Sequence, residues 1–424
     1  MKIAHMSDLH YSPINLTESD ACFGFAVEDA IRRDVQVAII SGDSTDHLLH
    51  AHAPSLIVLA RRLKQLADHC PVLMLQGTFS HEPVGMLQIL GLIGAKHQIM
   101  IADKIGMVAL SQNLWVEFDP VNVQPGQYDL VVTCVPTVNK AELAILVGAE
   151  NAAVEMGNHL AALLASHGPI NGKLRECGIP TVLVSHGTVD GSQTEHGVPM
   201  AGLDHEFTAG SLFSANTDAV MLGHIHKLQF WERDFQGIKQ LIAYPGSIGR
   251  FHYGEDGEKH YLLWDLAPNG AGFEAIVTPS RRMIDLEFTG APNLDEIAAV
   301  VAECRGAYVR VRYQVDEEFA KTVDRNGIKE LLASAAEVKI EGSVFSIQRQ
   351  QRCPGISTLN SIPDRFMKWA DTTDTPKDGL AERIAMLESM EPVDIVAKLL
   401  PESKSRVPSP ASNAAPECFA DVFP

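Results

Sequence analysis

Short apolar runs alternate with stretches of helical periodicity through the first half of the chain. The runs at Lys2–Met6, 35–40 and Val72–Leu75 are too short for helices and rich in aliphatic residues, which predicts buried strands. Between two of them, at 55–69, leucines recur three or four positions apart, which predicts a helix with one buried face. This succession predicts an α/β fold, with a central sheet and functional loops at the carboxyl ends of its strands.

The pattern changes after residue 277, and a second α/β unit is predicted at 281–349. Its strands and helices are expected in the order β-α-β-α-β, at 283–288, 293–303, 307–315, 326–334 and 338–348. Residues 350–376 are polar with little periodicity, which predicts a linker. Residues 377–400 have an amphipathic helical pattern broken by Pro392, and 401–424 are rich in Ser, Pro and Ala, which predicts a disordered tail.

Composition excludes several classes of protein. The hydrophobic fraction of 46% and the charged fraction of 21% are typical of a globular enzyme rather than a disordered chain. The 34 basic and 53 acidic residues give a net charge of −19, so the chain lacks the broad basic surface of a protein that holds nucleic acid by neutralising phosphates. No apolar run reaches the roughly 18 residues of a membrane span. No signal sequence is evident, which predicts a cytoplasmic protein without membrane contact.

The seven cysteines are scattered and have no Cys-x-x-Cys spacing, so neither a disulfide framework nor a cysteine metal site is predicted. Six acidic or histidine side chains instead come directly after apolar, strand-like runs. They are Asp8, His10, Asp43, His186, His224 and His226. Each of these residues alone is weak evidence for a metal site, because a single histidine at a strand end is more often a hydrogen-bonded structural residue. Four strand ends that all offer carboxylate or imidazole ligands together predict a centre for divalent metals.

The same residues resemble the motifs of the calcineurin-like metallophosphoesterases. Within that family the chain is most similar to the SbcD-type nuclease subunits of double-strand-break repair complexes. The closer likeness rests on AYPGSIGRF at 243–251, on GEDGEKHY at 254–261 and on Gly-Asp-x-x-Asp at 42–46. The resemblance implies a metallophosphoesterase sandwich over residues 1–277. It further implies that 281–349 is a capping domain that helps to present DNA to the metals.

Roles for single residues follow from the resemblance. One ion would be held by Asp8, His10, Asp43 and His226, and the other by Asp43, His186 and His224. Asp43 would therefore bridge two ions, for which manganese is expected. Arg250, in the 243–251 motif, would contact the substrate.

One loop departs from the family pattern. Where the family has Gly-Asn-His followed by an acid, this chain has GTFSHE at 77–82. If Ser80-His81-Glu82 align with the family motif, Ser80 replaces the amide ligand of the second metal and His81 is the general acid. If Thr78 takes the amide position instead, Phe79 takes the histidine position and the acid is lost. The first alignment is preferred, because a histidine followed by an acid is rare by chance at this place.

The function that the resemblance implies is a metal-dependent DNA exonuclease and endonuclease. It would act with an SbcC-like ATPase, on which the helices at 377–400 would dock, and it would form a homodimer. Packing of those helices on their own domain is an equally good interpretation. Two other functions stay open: a stand-alone phosphoesterase for a small phosphoester, and a catalytically weak or inactive subunit that binds DNA or the ATPase.

Overall fold

The computed structural model describes residues 1–399 apart from 48, 51, 139–148, 195, 199–206, 236, 256, 268–269 and 346–352. The chain forms two compact units, residues 1–345 and 346–424. The predicted tail at 401–424 lies outside the described residues.

The large sheet of the first unit is built from strands of four to eight residues. They are β1 Lys2–Met6, β2 Val37–Ile40, β3 Val72–Leu75, β4 Ile99–Ala102, β5 Gly106–Ser111, β6 Leu114–Glu117, β7 Leu130–Val135, β8 Thr181–His186, β9 Ala219–Gly223, β10 Gln229–Phe235, β11 Ile238–Tyr244, β12 His260–Ala267 and β13 Gly270–Val277. The helices between them are α1 Leu16–Arg32, α2 Pro54–Ala67, α3 Gln88–Gly91, α4 Ala149–Glu176 and α5 Ala209–Ser214.

The strands are hydrogen-bonded in the order β4-β3-β2-β1-β12-β13-β11-β9-β8-β7-β5-β6, with β10 paired to β11. Strands β13 and β11 divide this order into two halves, because their pairing in the described residues rests on Lys239 and Gly270. Gly270 has a φ of +127°, and a Cβ there would lie 2.6 Å from the Lys239 carbonyl oxygen. Glycine is therefore what allows the two halves to approach at this point.

The two halves pack face to face. Alternate residues of each strand point to opposite faces, and Ile39 on β2 and Met221 on β9 belong to the same buried cluster, together with Trp264. The outward faces pack on helices: Ile40 shares a cluster with residues of α1 and α2, and Leu222 shares one with residues of α4 and α5. The layers are therefore helix, sheet, sheet and helix, as expected for an α/β sandwich.

A separate three-stranded parallel sheet follows in the first unit. It consists of β14 Met283–Thr289, β15 Tyr308–Asp316 and β16 Glu337–Phe345, in that order, with α6 Leu294–Cys304 and α7 Arg325–Leu331 between them. Helix residues Ile297 and Ile328 are buried against Val309 and Val311 of the central strand. The β-α-β-α-β order agrees with the order predicted from periodicity; residues 346–349 of the predicted range lie outside the described part.

The second unit contains three described helices, α8 Ile362–Thr373, α9 Leu380–Ser389 and α10 Pro392–Leu399. Helix α8 lies inside the stretch predicted as a linker, residues 350–376, so this stretch contains a helix that its weak periodicity did not indicate. The helix starts because the Ser361 side chain accepts a hydrogen bond from the backbone N–H of Asp364, which caps its first turn. The break between α9 and α10 falls at Pro392, where the helical pattern in the sequence is interrupted. None of the described helices is long and apolar enough to cross a membrane.

The core between the two half-sheets makes a testable prediction. Leu262 on β12 is fully buried there, whereas Leu114 on β6 is 59% exposed. We expect Leu262→Ala to lower the free energy of unfolding by about 2–5 kcal/mol, because the cavity adds to the lost burial. Leu114→Ala, the matched control, should change it by less than about 1 kcal/mol. Urea unfolding measures both, and equal effects would contradict the packing described here.

Candidate metal centre

The centre lies where the carboxyl ends of strands from both half-sheets meet. Asp8 follows β1, Asp43 follows β2, His186 ends β8, and His224 follows β9. Within each half, backbone bonds tie neighbouring loops together, as where the Asp8 N–H donates to the Gly42 carbonyl at 3.1 Å. Between the halves, the His224 N–H donates to the Asp8 carboxylate at 3.1 and 3.2 Å. The fold therefore brings distant loops to one place.

The backbone of this centre is strained at the predicted ligands. Asp8, His10, Asp43 and His224 have φ values of +51°, +45°, +51° and +98°, in the region that side-chain-bearing residues rarely adopt. Each such residue costs about 1–3 kcal/mol and persists only where its surroundings enforce it. Gly42, with a φ of +102°, lies so close to the His186 imidazole that a Cβ there would clash with the ring. Such strain is characteristic of functional sites.

The first ligand cluster consists of Asp8, His10 and His226, whose ligand atoms lie within 4.8 Å of one another. The Nε2 atoms of the two histidines are 2.9 Å apart, and Asp8 Oδ1 lies 3.7 Å from His226 Nε2. Burial lowers the pKa of His10 to about 4 and the pKa of His226 well below its usual value. Both shifts favour the neutral ring, the form in which imidazole binds a metal.

The second cluster consists of Asp43, His186 and His224, again within 4.8 Å. His186 Nδ1 lies 2.7 Å from the Ser41 carbonyl, and its Nε2 lies 3.3 Å from Asp43 Oδ2. A bond from Nδ1–H to a carbonyl orients a ring so that Nε2 can coordinate. Burial by itself lowers the pKa of His186, but the Asp43 carboxylate outweighs it and raises that pKa to about 10. The surroundings of this ring therefore favour positive charge.

The residues of both clusters fit a pair of divalent cations. Carboxylate oxygens and imidazole nitrogens are the donor set of manganese, iron and zinc. Burial tends to raise the pKa of Asp43, but His186 and then His10 lower it well below its usual range, so this carboxylate interacts with rings of both clusters. Burial raises the pKa of Asp8 to about 6. Two buried carboxylates among imidazoles make this a compatible site for two ions.

The 77–82 loop combines features of both sequence alignments. Thr78, rather than Ser80, reaches the centre: its N–H donates to Asp43 Oδ1 at 2.6 Å, and its hydroxyl lies 3.2 Å from Asp43 Oδ2. The same hydroxyl is 3.3 Å from His186 Nε2. Ser80 is exposed. Thr78 thus occupies the place expected of the amide ligand, and the structure does not bring Ser80 to the metal centre.

His81 nevertheless lies at the centre, because the chain turns back after Thr78. The N–H groups of His81 and Glu82 both donate to the Thr78 carbonyl, at 2.9 and 2.8 Å. His81 Nδ1 lies 3.3 Å from Asp46 Oδ1, and its ring packs edge-on against His10. The hydrogen bond with Asp46 raises the pKa of His81 above its usual value. Phe79 and Ser80 form the outside of the turn. Thr78 therefore reaches the centre, as one alignment expects, and so does His81, as the other expects.

Glu82 connects two loops of the centre, a role that the sequence did not indicate. Its carboxylate accepts the Ser44 N–H at 2.5 Å and the Gly77 N–H at 2.6 Å. These residues directly follow Asp43 and directly precede Thr78. Burial and the Asp43 carboxylate raise the pKa of Glu82 to about 7. The buried Glu82 side chain thus joins the loop after Asp43 to the loop before Thr78 by hydrogen bonds.

A cavity of about 310 Å³ opens above the two clusters. The side chains that line it are His10, Asn15, Asp43, Asp46, His47, Thr78, His81, His224, His226, Phe251 and His252. Arg250 is not among them: its guanidinium donates to the carbonyls of Arg281 and Gly257. The structure therefore does not place Arg250 at the cavity. His252 was not anticipated, although it directly follows the 243–251 motif.

Comparisons with known proteins add a distant structural likeness. No protein-family model and no curated protein sequence matches the chain. Among solved structures, it is similar to a dimetal phosphatase from Danio rerio, with 13% identity and a TM-score of 0.39, over 66% of this chain and 99% of that chain. The case for a metal centre therefore rests on the geometry of the site itself.

The position of Thr78 makes a prediction that separates the two alignments. We expect Thr78→Val, which keeps the shape but removes the hydroxyl, to weaken one of two Mn²⁺ sites about 10-fold or more, the effect of losing a polar group beside a metal ligand. Ser80→Ala is the control and should leave both sites unchanged. Calorimetric titration with Mn²⁺ measures this, and a loss confined to Ser80→Ala would restore Ser80 as the ligand.

Proposed function

We propose that the chain is a metal-dependent phosphoesterase that hydrolyses phosphodiester bonds with two divalent ions, for which manganese is the expected metal. The observation that carries the proposal is the pair of ligand clusters, Asp8-His10-His226 and Asp43-His186-His224, which the bond from the His224 N–H to the Asp8 carboxylate connects, with His81 on the cavity wall. When bound, two such ions supply Lewis-acid stabilisation of the phosphoryl oxygens and of an attacking water.

The side chains of the centre have separate tasks in this proposal. Asp8, His10 and His226 hold one ion, and Asp43, His186 and His224 hold the other, with Thr78 beside it. His81 would be the general acid in its doubly protonated form, which the Asp46 carboxylate 3.3 Å from Nδ1 favours by raising the pKa of the ring. Its Nε2 would give its proton to the departing alcohol oxygen and leave a neutral ring, which is general acid catalysis.

DNA is the finer part of the proposal: the chain would be an SbcD-like nuclease subunit that works with an SbcC-like ATPase, as a homodimer in the cytoplasm. The motifs at 243–261 support it. In the second unit, Leu387 on α9 and Val393 on α10 are 70% and 78% exposed, so both side chains are accessible to a docking partner. Because the chain is acidic, bound ions and the partner would supply the attraction for DNA.

A small phosphoester is the second candidate substrate, and the charge of the small sheet favours it. Arg310 pairs with Asp285 through two bonds of 2.7 Å, and Arg312 pairs with Glu287 at 2.8 Å. These arginines are therefore neutralised and do not form a basic surface for nucleic acid. The remaining alternative, a catalytically weak or inactive subunit that binds DNA or the ATPase, is tied to the Thr78 alignment and the loss of the histidine; the place of His81 on the cavity wall counts against it.

One set of assays distinguishes these functions. The purified chain is incubated with Mn²⁺ and linear DNA, hairpin DNA or bis-p-nitrophenyl phosphate, with and without the ATPase subunit. Cleavage of DNA supports the nuclease. Cleavage of the small ester alone, even with the ATPase present, supports the small-substrate enzyme. No hydrolysis of any substrate by a chain that binds Mn²⁺ would overturn the catalytic proposal.

The role of His81 makes a further prediction. We expect His81→Asn to lower kcat on a phosphodiester with an alkyl leaving group by about 10²–10⁴-fold, because that alcohol must be protonated as it leaves. The loss should be much smaller with bis-p-nitrophenyl phosphate, whose leaving group departs as an anion. His159→Asn on α4, a 72% exposed side chain, is the control. Equal losses on both substrates would contradict the acid role.

A further inference from the structure

A buried ion pair lies next to the metal centre and has no part in the mechanism above. Lys259 and Glu255 are 3% and 4% exposed, and Lys259 Nζ lies 2.5 Å from Glu255 Oε2. Burying two charges is costly unless both are well hydrogen-bonded. The other contacts of the pair therefore indicate what it does.

Lys259 connects this pair to a predicted metal ligand. Its ammonium group donates to the His226 carbonyl at 2.9 Å and to Ser247 Oγ at 2.8 Å, in addition to its ion pair with Glu255. The Ser247 N–H also donates to the His226 carbonyl, at 3.3 Å. The backbone at His226 is thus fixed by two donors from the segment that follows β11.

Glu255 connects the pair to the cavity wall. Its Oε1 accepts the backbone N–H groups of Phe251 at 3.1 Å and His252 at 2.8 Å. The rings of His252 and His226 are parallel, with centroids 6.2 Å apart, and both line the cavity. One ion pair therefore holds both histidines.

The ligand atoms of His226, His252 and Glu255 also lie within 4.8 Å of one another, which suggests a third cation site. The ammonium group of Lys259 argues against it, because a divalent ion on Glu255 would lie close to a fixed positive charge. Positioning is the better account, since a metal ligand must be held in orientation to coordinate well.

We propose that the Glu255–Lys259 pair is a positioning device that holds His226 for its ion and His252 on the wall above it. This inference rests on the proposed function, in that it takes His226 to be a metal ligand. It predicts that the pair affects one ion selectively, which a purely structural ion pair would not do.

The test is a calorimetric titration of the full chain, stripped of metal, with Mn²⁺. Glu255→Gln and Lys259→Met should weaken one of two sites about 10- to 100-fold, the size of effect expected for groups that orient a ligand. His226→Asn identifies that site, because it should weaken the same one. Activity of the two variants should recover at high Mn²⁺ concentration, since the reacting groups are intact.

The double variant Glu255→Gln/Lys259→Met separates positioning from stability. It removes both charges but keeps the side-chain volumes. Its free energy of unfolding should therefore be closer to that of the wild type than that of either single variant is. It should still bind one of the two Mn²⁺ ions weakly. Arg175 in the last turn of α4 and Asp218 just before β9, 2.9 Å apart, form a control ion pair at the amino end of β9, whereas the metal centre lies at the carboxyl end. Asp218→Asn should lower stability and leave both Mn²⁺ sites unchanged.

Each outcome has a definite meaning. Wild-type affinity at both sites in the double variant would overturn the inference and leave the proposed function intact. Equal weakening by Asp218→Asn would also overturn it, because the effect would then be general destabilisation. A wild-type chain that binds no Mn²⁺ would overturn the proposed function and the inference together.

Discussion

The burial of Asp8 and Asp43 among histidines is the constraint on which the rest of the structure depends. Both carboxylates are nearly inaccessible, at 0% and 3% exposure. Two such groups in a low-dielectric site repel each other and are costly to desolvate. Asp8 accepts the His224 N–H and Asp43 accepts the Thr78 N–H, and the other groups close to both carboxylates include imidazoles, two of which have a pKa that burial lowers. A pair of divalent cations bound here would compensate the negative charge of the carboxylates and would give the imidazole nitrogens a partner.

The strained backbone supports the same conclusion. Asp8, Asp43 and His224 each hold a left-handed conformation directly after a strand, where an extended continuation would cost nothing. The side chains of all three residues take part in the bonds and clusters that make up the centre. Hydrogen bonds between the loops, such as Asp8 N–H to the Gly42 carbonyl, maintain the left-handed conformation. A fold accepts strain of this kind where the ligand geometry requires it.

The centre also connects the two half-sheets. Asp8 and His10 belong to one half and His226 to the other, so the first cluster spans the sandwich. Ions bound there would join the halves at the strand ends, in addition to the shared core around Trp264. Since a ligand that binds only the folded state stabilises it, metal binding and folding are linked in this architecture.

Much of the sandwich could be predicted from the sequence because β2, β3 and β9 are buried on both faces and have uninterrupted apolar runs, and β1 and β8 are apolar through most of their length. Strand β10, which among the described strands pairs only with β11, could not be predicted. Its residues are half-buried or exposed, and its sequence has the polar character of a loop. The six side chains predicted as ligands follow such buried runs, and the structure places them in two clusters. Positions that depend on tertiary contacts, such as those of Glu82 and His252, left no periodic signal.

The 77–82 loop shows most clearly where sequence reasoning ends. In the sequence alignments, either Thr78 or Ser80 takes the position of the amide ligand. His81 is the general acid only if Ser80 takes that position. A single turn, in which the Thr78 carbonyl accepts two N–H groups, lets Thr78 contact Asp43 while His81 returns to Asp46. An alignment compares positions along the chain. It does not show that a turn places Phe79 and Ser80 away from the site while Thr78 and His81 both reach it.

The charge of the chain bears on how such a centre would select its substrate. With a net charge of −19, and with Arg310 and Arg312 paired to carboxylates, the described surface of the small sheet offers a phosphate little attraction. The positive charge at the cavity would then come chiefly from the bound ions. Affinity for any phosphoester should accordingly depend on metal loading, and the residues that hold His226 would influence substrate binding through the ion rather than by contact.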